Sequence, residues 1–413
     1  MLSEEVIEKI TRRGVQEIIS HDEFVRMLQE GNPLRLKMGF DPSRPDIHLG
    51  HVVGLRKLHQ LQELGHQVIL IVGDWTAQIG DPSGQSVTRP MLTHDEVVAN
   101  AESYLRQFFK VVDRDRTQVM WQSEWFGKFT LADVIDLTGR FTVAQFLERD
   151  DFAKRFQEHR PIALTELLYP LLQAYDSVEI RADVEFGGTD QRFNLLVGRE
   201  LQQMMGQTPQ QCFLMPILVG TDGVQKMSKS LGNYVGVEEP PNDMYGKLMS
   251  LPDQLIGSYF EYLTDMPEEE LAGLSHDLTS GSVNPMDLKK RLARDITAQF
   301  HAGAAANAAE EHFERVVQRR DLPEEMPDFP EPSLAAVYVD EGRRLSNIIF
   351  DARLASSTSE AKRLINQGAV EVINDSTGET RTLARDEQVA NLGLQHRFVI
   401  KVGKRRFVRL VER

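Results

Sequence analysis

Two histidines, His48 and His51, stand three residues apart in "PDIHLGHVVGL", with Gly50 between them. On a helix, that spacing puts both on one face, about one turn apart. A helix N-terminus carries unsatisfied N–H groups and partial positive charge, so it attracts anions. Two imidazoles there add donors that can follow a phosphate as its charge develops. The glycine lets a flat ring or a phosphate approach the backbone. Far downstream, "VQKMSKSLGN" sets Lys226 and Lys229 three apart among serines and a glycine. Such a loop can fold over a polyphosphate and neutralise a leaving group. Each motif alone has a plainer reading. The histidines also suit a solvent-facing pair or two metal ligands, and the lysines suit a solvated basic loop. No third ligand at HExxH-type spacing accompanies the histidines. Neither a Walker A sequence nor a GxGxxG fingerprint occurs, so phosphate handling needs another device.

The surrounding pattern says what must position these groups. "LRLKMGF", Leu34 to Phe40, alternates like a strand, and a Pro/Asp loop follows. Helical periodicity then runs from Ile47 to Leu64, with Asp46 as the expected N-cap and Gly65 at the C-terminal glycine position. "QVILIVG" is a short, β-branched, apolar strand, which completes a β-α-β unit with a buried parallel sheet. "VEIRADVEF" and "CFLMPILVG" read as further strands. The residues before about 31 read as helix. The expected class is α/β: a Rossmann-like parallel-sheet catalytic domain over 1–235, then a helical domain over 236–320. An acidic, proline-rich linker or strap follows over 321–343, and a small α+β module closes the chain over 344–413.

The 413 residues carry a net charge of −15, which argues against a chain that coats nucleic acid. The charge is uneven, however. From Arg343 to Arg413 there are 14 Lys+Arg against 8 Asp+Glu, so a basic end follows an acidic body. That asymmetry suggests one localised nucleic-acid module, or a solvated basic surface. The single cysteine, Cys212, lies in an apolar run and reads as a buried small hydrophobe. No basic-plus-apolar leader and no bilayer-length apolar run is present, which fits a cytoplasmic location.

Taken together, HxGH at the first strand–helix turn and KMSKS after a late strand resemble the signature pair of class I aminoacyl-tRNA synthetases. The stretches "GFDPS...HLGH", "IGDPSG", "LLYPLLQAYDS", "GGTDQRFN" and "KMSKS" are similar, in order and spacing, to the tyrosyl-tRNA synthetase family, closest to its longer bacterial branch. The resemblance covers the catalytic domain and, more loosely, the rest of the chain. It implies ATP-dependent attachment of tyrosine to tRNA(Tyr) through a tyrosyl-adenylate, releasing AMP and diphosphate. Mg2+ would arrive with the ATP, with no dedicated protein metal site.

The resemblance also assigns residues. His48, His51, Lys226 and Lys229 would be catalytic. Asp41, Ser43, Gly50, Gly188, Asp190 and Lys229 would serve ATP. Gly39, Asp81, Tyr169, Gln173, Asp176 and Gln191 would form the tyrosine pocket, with Asp176 accepting from the substrate phenol. The segment of about 101–165 would be a connective insertion forming a homodimer interface. The end, with "TSEAKRLINQGAVEVIND", resembles the alpha-L RNA-binding motif. Lys362, Arg363, Lys404, Arg405 and Arg406 would meet RNA, and Ser359 is the expected N-cap there. Two departures stand out. Lys37 occupies a position where many members have a tyrosine; it could point into the pocket or pair with an acid. Gln85 replaces a lysine of some members, with Arg89 retained nearby.

Overall fold

A computed structural model describes residues 2–42, 46–82, 93–280, 282–318, 326–330, 343–375, 377–388, 397–403 and 406–411. Ser43, Gln85, Arg89, Lys404 and Arg405 lie outside them. The chain forms two units, Met1–Ala306 and Asn307–Arg413.

The first unit is built on six strands: β1 (Glu17–Ile19), β2 (Arg35–Phe40), β3 (Gln67–Val72), β4 (Thr117–Trp121), β5 (Val184–Gly188) and β6 (Gln211–Met215). Their order is β1-β6-β5-β2-β3-β4. All pair in parallel except β1, which runs antiparallel to β6. Val68 to Val72 are buried, as a strand covered on both faces requires. Each such aliphatic side chain contributes roughly 1.5–3 kcal/mol on burial. The histidine helix, Leu49–Glu63, lies close against the sheet because Gly54 has no side chain. A Cβ there would meet the Met215 methyl at 2.8 Å and the Met38 methyl at 3.2 Å.

From β2 the chain builds outward to β3 and β4, whereas β5 and β6 lie on its other side. Such a reversal opens a crevice at the carboxyl ends of the strands. Here it falls between β2 and β5, which share only the register pairs Leu36↔Val184 and Lys37↔Glu185. Beyond that second pair the two strands no longer hydrogen-bond. The helices Pro241–Met249, Ile256–Leu263 and Glu268–Ser280 follow, and the helix Pro285–Phe313 breaks at Ala302. No helix among the described residues is long and apolar enough to cross a membrane.

The second unit packs the helices Leu345–Asp351 and Thr358–Asn366 on a five-stranded sheet. Its strands are β7 (Asp328–Pro330), β8 (Val370–Asn374), β9 (Thr380–Thr382), β10 (Arg397–Val402) and β11 (Arg406–Val411), in the order β7-β11-β10-β8-β9. Ile348, Ile349, Ile365, Phe398 and Leu410 form its buried core. β7, from the expected strap, pairs in parallel with β11.

Four local expectations change. The first 31 residues are two helices around the edge strand β1, because Gly14 turns at φ 64°. "VEIRADVEF" is not one strand: Val178 and Glu179 end a helix, Arg181 turns at φ 48°, and β5 begins at Val184. His48, not Asp46, caps the histidine helix, since a bridge to Gly236 keeps the chain extended through residue 48. Ser357, not Ser359, caps Thr358–Asn366, its hydroxyl accepting from the Glu360 N–H at 3.1 Å. Gly65 and Gly368 take positive φ after their helices, as expected.

Candidate active site

A cavity of about 370 Å³ occupies the β2/β5 crevice. Gly39, Asp41, His48, Gly50, His51, Asp81, Tyr169, Gln173, Asp176, Gly188, Asp190, Gln191 and Lys226 all line it. Residues from positions 39 to 226 therefore meet in one place because the strand order brings the β2 and β5 ends together. A Cβ on Gly39 would enter open space, so this glycine leaves room in the cavity.

On the histidine side, the backbone fixes both rings. His48 Nδ1 accepts from the Gly50 N–H at 3.2 Å, and His51 Nδ1 accepts from the His48 N–H at 3.3 Å. With Nδ1 used as acceptor, a neutral ring carries its proton on Nε2 and offers that N–H as a donor. Burial pushes the His48 pKa far down, with His51 the next cause. Burial, then Lys229, pushes His51 down to about 4. Both rings are neutral donors near pH 7. Gly50 has a local reason as well: a Cβ there would press on the His48 ring at 3.0 Å.

The lysine loop is pinned at its middle. Met227 is buried, and its N–H donates to the Leu218 carbonyl at 2.8 Å. Asn233 braces the loop, accepting from the Ser228 N–H at 2.8 Å and donating to the Lys226 carbonyl at 3.1 Å. Lys226 Nζ then lies 3.2 Å from Asp190 Oδ2. Lys229 does not line the cavity; it donates to the Asp46 carbonyl and lies 5.6 Å from the centre of the Tyr104 ring.

The other wall is the pocket helix, Leu164–Glu179, whose residues 169, 173 and 176 share a face. Tyr169 donates to Asp41 Oδ2 at 2.8 Å, and Thr76 donates to Asp41 Oδ1 at 2.6 Å. Gln173 donates to Glu185 at 3.0 Å and accepts from Asn194 at 3.1 Å. Gln191 donates to Asp81 at 2.8 Å. Asp176 is buried, accepting from Gln122 Nε2 at 2.8 Å and Trp125 Nε1 at 3.2 Å. Desolvation pushes its pKa up to about 7, against the opposing pull of Lys37 and then Gln122.

Sequence reasoning missed Gln122, Trp125, Thr76 and Asn194. Gln122 and Trp125 follow β4 in "WQSEW", and no spacing distinguishes them from an ordinary strand-to-helix turn. Lys37 pairs with an acid: its Nζ lies 2.9 Å from Glu185 Oε1, with both side chains buried. In the second unit, Lys362, Arg363 and Arg406 are exposed, and Arg406 also donates to the Leu354 carbonyl. Cys212 is buried on β6, where desolvation lifts its thiol to about 12.

Residues 29–318 match the family model of class I tRNA synthetases (W and Y), and residues 343–372 match the S4 domain. The chain belongs to the class I tRNA synthetases. A tyrosine–tRNA ligase of Dehalococcoides mccartyi is 55% identical over 99% of both chains, and one of Thermotoga maritima is 48% identical over 97% of this chain and 96% of its own. Within the class, the chain is a member of the tyrosine–tRNA ligase family. The solved tyrosyl-tRNA synthetase of Archaeoglobus fulgidus, complexed with L-tyrosine, is 26% identical with a TM-score of 0.60, covering 74% of this chain and 99% of that one.

Proposed function

We infer that this chain attaches tyrosine to tRNA(Tyr) in two steps, with ATP as the energy source. The tyrosine carboxylate attacks the α-phosphate, giving tyrosyl-adenylate and diphosphate. The tyrosyl group then passes to the terminal adenosine of the tRNA, and AMP leaves. Mg2+ comes with the nucleotide.

The observation that carries this reading is the meeting, in one cavity, of a polar wall built on Tyr169, Gln173 and Asp176 and two neutral histidine donors at a helix N-terminus. The protein supplies positioning and fixed charge rather than a covalent intermediate. The His48 and His51 Nε2–H groups donate to phosphate oxygens. Lys226, released from Asp190, meets the leaving diphosphate, and Lys229 joins it by leaving Asp46. Asp190 and Gly188 take the ribose, with Asp41, Gly50 and Ser43 on the same ATP side. Asp81, Tyr169, Gln173 and Gln191 hold the amino-acid ammonium and carboxylate above Gly39. Asp176 accepts the phenol O–H, so phenylalanine leaves a buried acceptor unpaired. Tyrosyl-tRNA synthetases are themselves a standard example of such discrimination.

The division into a catalytic domain over 1–235, a helical anticodon-stem domain over 236–320, a linker over 321–343 and an RNA-binding module over 344–413 belongs to this proposal. So do the RNA roles of Lys362, Arg363, Lys404, Arg405 and Arg406, the homodimer and the cytoplasmic location. The test is amino-acid-dependent exchange of diphosphate into ATP, run with each of the twenty amino acids. Exchange with tyrosine above all others is expected; no exchange, or a different preferred amino acid, overturns the reading. Removing residues 343–413 should leave exchange intact and impair tRNA charging.

A further inference from the structure

Lys37 and Glu185 are the last register pair before β2 and β5 part, so they lie at the root of the crevice. Their ion pair is completely partnered. Lys37 Nζ donates to the Gln173 carbonyl at 2.7 Å and to Ser177 Oγ at 2.7 Å, besides its 2.9 Å contact with Glu185 Oε1. Glu185 Oε1 also accepts from Gln173 Nε2, and Oε2 accepts from Ser177 Oγ at 3.2 Å and from Gln210 Nε2. A buried ion pair holds only where further hydrogen bonds satisfy its remaining donors and lone pairs. Here those bonds come largely from the helical turn that carries Asp176: Gln173 precedes it by three residues and Ser177 follows it by one.

The ammonium bonds the pocket helix alone besides its counter-ion, whereas the carboxylate is shared between that helix, through Gln173 and Ser177, and Gln210. The charged and titratable groups that act on Asp176 are Lys37 from β2, Glu185 from β5 and Tyr169 from its own helix, with the neutral donors Gln122 and Trp125 from the segment after β4. Of the charges, Lys37 acts more strongly than Glu185.

We propose that Lys37 is a positioning residue for amino-acid selection, whose ammonium keeps the Asp176 carboxylate ionised to accept the substrate phenol, while Glu185 holds both Lys37 and the Gln173 amide in place. This rests on the reading of Asp176 as the phenol acceptor.

The experiment is tyrosine-dependent diphosphate exchange by the full chain from pH 6 to 8.5, with KM for tyrosine and the preference over phenylalanine measured throughout. Lys37→Met with Glu185→Gln replaces the ion pair by a neutral couple of similar shape, so no unpaired buried charge is left to unfold the protein. Without the cation, Asp176 holds its proton to higher pH. The acid limb of kcat/KM for tyrosine should therefore move up by at least one pH unit, about a tenfold loss at pH 6.5 that shrinks by pH 8.5. ATP KM should stay within twofold. A double variant with the wild-type limb and phenylalanine preference refutes the proposal. Asp176→Asn separates the two levels. If Asp176→Asn keeps full tyrosine preference, the pocket reading itself fails. If it loses that preference while the double variant behaves as wild type, only the role of Lys37 falls.

Discussion

Lys226 Nζ rests 3.2 Å from Asp190 Oδ2, joining the middle of the lysine loop to the end of β5 across the mouth of the cavity. Both side chains are substantially solvent-exposed. An ion pair of that kind is worth about 0–1 kcal/mol, so it parks the lysine without trapping it. Met227, buried beside it, is what holds the loop. Lys226→Ala should therefore leave the melting temperature within about a degree. If the lysine meets the leaving diphosphate, kcat for exchange should fall roughly 10²-fold, the scale of losing one fixed charge-stabilising donor. The tyrosine KM should move less than twofold. A large tyrosine KM change with unaltered kcat would remove Lys226 from the chemistry.

His51 gives a pH signature. Its pKa falls from 6.5 to about 4 on folding, through burial and then Lys229. Between those values the unfolded chain binds the extra proton, so this residue's contribution to stability is present above pH 6.5 and is lost as pH falls toward 4. Asp176, raised from 3.8 to about 7, has the opposite slope across that window. The comparison must therefore be variant against wild type. Denaturant unfolding of His51→Gln should lose less stability than wild type between pH 6.5 and 4.5; parallel curves would mean that the imidazole is not buried neutral.

The parts legible in the sequence are those where type and spacing coincide with a backbone event. His48 and His51 were readable because a β-α turn has a fixed geometry, and the shared face of Tyr169, Gln173 and Asp176 follows from helical spacing. The contacts closing the site were not. Gln122 reaches Asp176 from 54 positions away, across a sheet whose strand order no local pattern reveals. The fate of Lys37 depended on which residue faces it on β5, and a register between distant parallel strands has no signature in either strand alone. The expected cap at Asp46 failed for a similar reason: the extended conformation of His48 comes from Gly236, far along the chain.

Gln122 is a test of that hidden layer. Its amide donates to Asp176, while its Oε1 accepts from the Trp75 N–H at 3.3 Å and the Thr76 N–H at 3.0 Å. Gln122→Leu would strand buried donors and an acceptor, costing about 1–3 kcal/mol of stability by thermal or denaturant unfolding. It also removes a donor that lowers the Asp176 pKa. The tyrosine KM should rise more at pH 6 than at pH 8, with the ATP KM unaffected. A pH-independent rise would show loss of shape rather than loss of charge.

Lys57 is a buried cation on the histidine helix whose Nζ reaches the Lys9 carbonyl at 3.5 Å. Burial, followed by Arg13, Arg56 and Lys9, pushes its pKa from 10.5 to about 7. The unfolded chain therefore holds the proton more tightly between pH 7 and 10.5, and stability from this group rises with pH across that range. Lys57→Met keeps the stem's packing and removes the buried charge. It should raise the melting temperature by a few degrees at pH 7, with a smaller gain at pH 9. A lower melting temperature at both pH values would identify a role for the ammonium.

The segment 131–164 presents apolar side chains to solvent: Leu131, Ile135, Val143, Phe156 and Leu164 are each more than half exposed, Leu164 at 82%. Beneath them Leu137, Phe146, Phe152 and Leu171 already form a filled core, so the outer set serves nothing inside the chain. Large exposed apolar sets mark association surfaces, and a two-fold pairing of identical patches is the commonest solution. If a second copy covers them, sedimentation at micromolar concentration should give a mass of two chains. Ile135→Asp with Phe156→Asp should give one chain with an unchanged circular dichroism spectrum, because neither side chain is buried. A wild-type chain that sediments as a monomer, or a double variant that remains a dimer, would assign these residues to some other contact.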